Sequence, residues 1–582
     1  MNQTRSFLLL ALAFVAYLLF NQWMSDYHKP PTPPPAESAS VAAAASAAVP
    51  ASAASVSAAT SSERTAALNA ASTGKATQTG QLIKVSTDVL TLTIDTRGGT
   101  LVGAHLLKYP AERGSKESVR LFNNTPDHYY EAQSGLIGVG GDAAPNHTSV
   151  FQTAKTSYSL APGQKQLTVK LHWTSPSGVK VVKRYTLTRG SYAIKLTQTI
   201  DNGSNDPWRG QAYHQFERVM PPKGHVSFLK KYAGAGNYGF FGAAWYGPEA
   251  KFNQVDFEDI KNHPLNESGG VGRKVTGGWI AMEETYFVGA WLPGNKKTNT
   301  FSTVELDAGG KDANPHYLIR SVGPLMSVAP GQTTSSSARL FVGPKLPHVL
   351  ESVAPHFDLA LNYGMMTIIA RPLHWVLANL YTITGNWGWA IVLLVILINA
   401  LIYKLNAMQY RSSAHMRRLK PRMDSLKERF GDDKQKLQQA TMELYKKEKV
   451  NPMAGCLPVL VTLPVFFGLY ELLRQSVELR QAPFIFWIHD LSAADPYFIL
   501  PALYAVAMLI QSMMMPMTPG MGATQQKMMR YMPVAYAVFF AFFPAGLALY
   551  YIVNTICRLL TQWWVYRQVD HEQARKEAAK AK

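Results

Sequence analysis

Long apolar runs constrain this chain more than any other feature. Residues 6–24 read SFLLLALAFVAYLLFNQWM, and apolar stretches recur after about residue 360, as around WAIVLLVILI from Trp389 to Ile398. A helix needs about 20 mostly apolar residues to cross a hydrocarbon core of about 30 Å. Between these regions lies an ordinary soluble mixture. The pattern predicts a polytopic α-helical membrane protein with one large domain outside the bilayer.

The first run follows Arg5 and has no small-x-small cleavage site directly after it, so a retained anchor (residues 1–28) with a cytoplasmic N-terminus is expected. Residues 29–80 open with KPPTPPP and continue Ala/Ser-rich, the composition of a linker. Residues 81–345 carry period-2 patterning. Leu167, Val169, Leu171 and Trp173 alternate, Ser175-Pro-Ser-Gly178 turns the chain, and Tyr185, Leu187, Arg189-Gly190, Tyr192, Ile194 and Leu196 repeat the scheme. Turns every 8–12 residues predict an antiparallel β-sandwich, and the anchor places it in the periplasm. Residues 346–384 contain an amphipathic pattern interrupted by Pro372, expected to lie on the outer membrane face.

Five further spans are expected near 387–406, 455–474, 497–515, 531–545 and 546–566, six in all, in a core over 385–566. The last two should meet in a tight hairpin at Phe543-Pro-Ala-Gly546. Residues 407–452 hold 12 Lys/Arg against 6 Asp/Glu, broken by Gly431-Asp432-Asp433. This predicts a cytoplasmic helical hairpin, with the short basic tail 567–582 also inside. The net charge of +19 fits residues beside membrane helices, and no signature of sequence-specific nucleic-acid binding accompanies it. The two cysteines, Cys456 and Cys557, fall in apolar stretches, so neither a disulfide nor a metal site is expected.

Bond-breaking chemistry finds little support. Gly234-Ala-Gly236-Asn-Tyr-Gly239 matches G-x-G-x-x-G but lies in a β-rich region with no helix after it, so a plain glycine-rich loop is expected. His489-Asp490 reads as structural. Polar residues inside the spans say more, because they are costly there and by default suggest function. Tyr551, Asn554, Thr555, Arg558 and Gln562 share one helical face, as do Asn399, Tyr403, Asn406 and Tyr410. Facing stripes would line a wet groove opening inward. Interhelical hydrogen bonding accounts for them equally well on periodicity alone.

Three long motifs carry a resemblance: GDDKQKLQQATMELYKKEKVNPMAGCLPVL (431–460), SVELRQAPFIFWIHDLSAADPYFILP (476–501) and MPVAYAVFFAFFPAGLALYYIVN (532–554). They resemble the bacterial YidC family of membrane protein insertases, akin to those of mitochondria and chloroplasts. The likeness extends through VSTDVLTLTIDTRGGTLVGAHLLKYP to essentially the whole chain, and a β-sandwich ahead of the core marks the Gram-negative form. The resemblance implies an insertase and chaperone, not an enzyme, in the inner membrane. It would move hydrophobic segments of nascent proteins from the cytoplasm into lipid, alone or with the Sec translocon. It implies a hydrophilic groove with a mid-membrane cation and no cofactor. A ribosome contact through the tail is left open.

The family's groove cation aligns with Asn399, its usual proline with Lys404, and a usual glutamine with Thr462. Arg558 is expected to supply the displaced charge. Asn399 lies 12 residues after Trp387 and Arg558 12 after Gly546, each roughly 18 Å in at ~1.5 Å per residue. Tyr551 matches a family position that touches clients. Lys404 and Arg474 are the rival cations, although Lys404 can snorkel and Arg474 follows Glu471 by three residues. Nine of the 21 methionines fall between Met508 and Met532. Met513, Met514, Met515 and Met521 suit a surface that adapts to unrelated apolar segments, or are ordinary core filler. Two other function classes are weighed: a small-solute transporter, which lacks a visible inverted repeat, and a membrane-anchored periplasmic sugar-binding protein, which rests on fold analogy alone.

Overall fold

The computed structural model describes residues 80–580 apart from 222–239, 263, 266–271, 307–313, 431–432, 449–456, 515–526, 529 and 533–537. The anchor run 6–24, nearly all of the linker, the glycine-rich loop at 234–239, Cys456, Met515, Met521 and part of the 531–545 span therefore lie outside the described residues.

Alternation builds the β-region as expected. In Gln166–Thr174 the side chains of Leu167, Val169 and Leu171 are buried while their neighbours are exposed. The same rhythm runs through Val179–Thr188 and Ala193–Asn202. Gly178 turns the first of these hairpins at φ 95°, and Ser175 Oγ accepts from Val179 N at 2.9 Å. A side chain is strained at that φ. Among the described residues the strands form a ten-stranded and a nine-stranded sheet packed face to face. The antiparallel expectation needs one correction. Leu82–Ser86 pairs in parallel with Ser157–Ser159 at a sheet end, where the chain returns from the opposite side rather than through a hairpin.

Two strands of the larger sheet, Tyr130–Gly138 and Trp208–Val219, are largely buried on both faces, and several polar side chains in and beside them bond one another. Gln133 Nε2 donates to Glu217 at 2.8 Å, Gln215 Nε2 to Gln133 Oε1 at 2.5 Å, and Tyr129 Oη to Glu131 at 2.7 Å. Between the sheets, the Lys183 ammonium donates to Gly98 O, Ser134 O and Ser134 Oγ at 2.5, 2.7 and 3.0 Å. Its three N–H groups thus meet three acceptors, which a buried ammonium requires.

Short helices α1 (Phe257–Asn262) and α2 (Pro347–Val353) lead to α3 (Thr367–Thr384), with Pro372 inside it. Ala370 and Leu377 of α3 are buried, whereas Ile368 and Trp375 are 85% and 69% exposed. Helix α4 (Trp387–Leu401) is capped by Asn386, whose side chain accepts from Gly388 N and Trp389 N. A Cβ on Gly388 would meet Phe484 at 2.1 Å, so glycine permits this close approach. Ala390, Ile391, Leu394, Val395 and Asn399 face inward at helical spacing, while Trp389, Ile396 and Leu397 face out.

Helix α5 (Tyr403–Phe430) continues after a break at Ile402, bent by 64°. With α6 (Lys434–Lys447) it forms the expected helical hairpin, packed through Leu419, Met423 and Tyr445. Helices α7 (Leu457–Gln475), α8 (Ile499–Met514) and α9 (Ala545–Lys580) complete the description. Helix α9 runs unbroken past residue 567, so the expected tail continues the last helix. No single described helix is long and apolar enough to cross a membrane, but the bent pair Trp387–Leu401 and Tyr403–Leu419 passes that test together.

The β-region is tied to the helices. Arg480 donates to Pro110 O and Ala111 O at 2.8 and 2.7 Å. Asp490 accepts from Gln481 N, Ser492 N and Ser492 Oγ, so it holds its loop together. The turn at 543–546 docks on that same loop through Ala545 N to Ala493 O and Gly546 N to Leu491 O, at 2.7 and 2.8 Å.

Candidate functional site in a cavity among the helices

The docked turn sets the height at which α9 begins, and its side chains then follow helical spacing. Tyr551, Asn554, Thr555 and Arg558 fall on one face and line a cavity of about 370 Å³. Ile398 of α4, Thr462 and Phe466 of α7, and Tyr504 and Gln511 of α8 complete its walls. The cavity has an aromatic end, where the Tyr551 ring lies 5.3 Å from Phe466, 5.6 Å from Tyr504 and 4.4 Å from Phe540. Asn554, Thr555, Arg558 and Gln511 supply its polar groups.

Asn399 stands behind this wall. It is 9% exposed, and its Nδ2 donates to Val395 O at 2.9 Å and to Asn554 Oδ1 at 3.0 Å. Asn399 thus ties α4 to α9, and the next polar residues of α9 face the cavity. The bond also corrects the expected depths. Asn399 is level with Asn554, which puts Arg558 one turn further along, about 6 Å at ~1.5 Å per residue.

Arg558 is half-buried, and among the described residues it makes no ion pair. Arg474, at the opposite end of α7, pairs with Glu471 at 2.6 Å, and Gln475 joins the same carboxylate at 3.0 Å. Lys404 and Tyr403 do not line the cavity. Both lie beyond the bend at Ile402, with Tyr403 40% exposed. The bend takes Tyr403 off the straight face on which Asn399, Asn406 and Tyr410 remain buried. Gln562 is also away from the cavity, fully buried and donating to Tyr566 Oη at 3.1 Å.

Sequence reasoning missed Gln511 and Tyr504. Gln511 is the one amide in a mostly apolar helix, and that was a usable signal. Of the methionines, Met508 lines the cavity, Met513 is exposed and Met514 half-buried.

The model of the YidC periplasmic domain matches residues 82–376, and that of the 60Kd inner membrane protein matches residues 379–573. The membrane protein insertase YidC of Thioalkalivibrio sulfidiphilus is 41% identical over 577 residues, covering 98% of this chain and 99% of that protein. The chain belongs to the YidC family of membrane protein insertases. The YidC insertase of Stutzerimonas stutzeri is likewise 41% identical, over 571 residues, with 98% and 99% of the two chains covered. A solved structure, an active YidC insertase with its first transmembrane domain resolved, aligns over 84% of this chain and 95% of its own at 17% identity and a TM-score of 0.36. As a YidC-family protein the chain is an insertase of nascent membrane proteins, not an enzyme, with a β-rich region matching the family's periplasmic domain and helices after it.

Proposed function

We propose that hydrophobic segments of nascent proteins pass from the cytoplasm to the lipid by way of the cavity between α4, α7, α8 and α9, with Arg558 as its fixed positive charge. The observation that carries this reading is the placement of Arg558. It lines the cavity without a carboxylate partner among the described residues, one turn from the Asn554 that holds Asn399. A buried cation is costly unless it meets water or an opposite charge. A client's acidic tail or polar flank supplies that charge, and the polar wall lowers the cost of carrying it partway across. Thr462, Tyr551, Asn554 and Thr555 serve as client contacts, and Met513, Met514, Met515 and Met521 as the adaptable apolar surface. Release into lipid is favourable for an apolar segment and calls for no nucleotide. Lys404 is the rival cation, and Gln562 and Tyr403 support the neighbouring helices.

The wider reading has six spans, at about 6–24, 387–406, 455–474, 497–515, 531–545 and 546–566, with both termini in the cytoplasm and residues 81–345 in the periplasm. The outward-facing Ile368 and Trp375 of α3 support its lying on the outer membrane face. The basic α5–α6 hairpin and the end of α9 are its cytoplasmic parts. The Sec translocon is a partner, and the ribosome a second contact through these basic surfaces.

A photo-crosslinking side chain placed at Thr462, Thr555 or Lys404 tests the route on stalled nascent chains. Strong crosslinks are expected from 462 and 555 and weak ones from 404. Crosslinks confined to 404 would place the client's path outside the cavity.

A further inference from the structure

A second cavity, of about 460 Å³, lies beside the middle of α9, where its apolar stretch gives way to charge. It is lined by Arg417 of α5, by Met514 of α8, and by Trp563, Tyr566, Arg567 and His571 of α9. Helices α5 and α9 are locked beside it by Tyr410 and Ala414 packing on Val565, Tyr566 and Val569. Its two guanidinium groups are placed over rings, Arg417 at 5.9 Å from the Tyr566 centroid and Arg567 at 5.4 Å from Trp563. Neither forms an ion pair with a described residue. Among the described residues the one carboxylate at the cavity is Asp570, already paired with Arg418 at 2.6 Å, and the same guanidinium donates to Val569 O at 3.1 Å. The opening therefore presents two uncompensated positive charges. Beside them Trp563 and Trp564, each half-exposed, turn their rings outward.

We infer that this cavity binds the phosphate headgroup of an anionic phospholipid in the cytoplasmic leaflet. Indole rings settle at the level of lipid headgroups, which sets Arg417 and Arg567 at phosphate height. A guanidinium presents a fork of N–H donors that matches phosphate oxygens, and stacking over a ring holds that fork in place. Basic pockets between helices on the cytoplasmic side are where anionic headgroups bind. The inference rests on the proposed cytoplasmic placement of this part of α9, but its arginines lie outside the first cavity.

The test is native mass spectrometry of the purified full chain in neutral detergent, titrated separately with phosphatidylglycerol and phosphatidylcholine. The wild type should retain phosphatidylglycerol in preference to phosphatidylcholine. Each cation near an anionic headgroup strengthens binding about fivefold, so R417Q/R567Q should weaken it about thirtyfold. R417K/R567K, which keeps the charge but loses the fork, should bind more weakly than the wild type and more tightly than R417Q/R567Q. R567Q alone changes one exposed side chain and should weaken binding about fivefold, and it decides the matter if the double variant unfolds. Equal retention by the wild type and R567Q, or equal retention of the two lipids, overturns the inference. Competition by inorganic phosphate at millimolar concentration would reassign the cavity to the free anion. A short RNA hairpin bound through the same arginines, with no lipid preference, would reassign it to nucleic acid.

Discussion

Replacing Arg558 by alanine removes the one cation that lines the first cavity among the described residues, and the size of the effect follows from the cavity's dimensions. A volume of about 370 Å³ corresponds to a sphere about 9 Å across. A client carboxylate inside it therefore lies within about 9 Å of the guanidinium. With an effective dielectric constant of about 20, the attraction at that distance is about 2 kcal/mol, or roughly twentyfold in an equilibrium constant. Client insertion measured in cells depleted of their own insertase should then fall roughly tenfold to thirtyfold for a client with an acidic flank. It should change little for a client whose flank is neutral. Asn399→Arg in the Arg558→Ala background should restore insertion, because Asn399 is level with Asn554, one turn away, and an arginine side chain reaches that far. The reasoning is refuted if Arg558→Ala inserts acidic-flanked clients normally, or if it slows both clients equally. If Lys404→Ala is the damaging change instead, the working charge lies beyond the bend.

Three further outcomes are expected. Burial, with help from nearby Arg320 and Lys183 for His147 and from Lys183 and Lys297 for His214, pushes both imidazoles down to about 3. The unfolded chain takes up those protons near pH 6.5, so it holds more of them than the folded chain between about 6.5 and 3, and stability falls as pH drops through that window. Burial pushes Glu131 up to about 7. This acts in the opposite direction between 7 and 4.5, so one glutamate offsets about half of the two histidines' loss there and none of it below about 4.5. Near-ultraviolet circular dichroism of the full chain should therefore show β-region packing lost in acid, and His147→Gln/His214→Gln should move that loss to lower pH; an unmoved midpoint would count against the assignment. Asn386→Ala removes the cap of α4 and should lower stability by about 1 kcal/mol, while Asn386→Ser should keep most of it; equal thermal unfolding of the two variants would show the cap to be unimportant. Replacing Met513, Met514, Met515 and Met521 by leucine should narrow the range of clients crosslinked, since leucine lacks the thioether's adaptability, and an unchanged range across several clients would make these residues ordinary filler.

The sandwich was legible because period-2 burial leaves a local trace. Leu167, Val169 and Leu171 face inward whatever strand lies opposite, and Gly178 marks its turn wherever the sheet ends. The face of α9 was legible for the same reason, since spacings of three, four and seven residues gather Tyr551, Asn554, Thr555 and Arg558 on one side. The hairpin of α5 and α6 announced itself through the break at 431–433. Local periodicity could not say which face meets which helix. Asn399 and Asn554 are 155 positions apart, and their bond depends on how α4 and α9 pack. The same packing places Arg558 one turn beyond Asn399 and leaves Gln562 outside the cavity. The 64° bend at Ile402 removes Tyr403 from a stripe that looked continuous in one dimension, and Gln511 reaches the cavity from a helix with no stripe at all. A side chain's face is set by its own few neighbours in sequence, whereas its partner is set by long-range packing, and that only the tertiary structure decides.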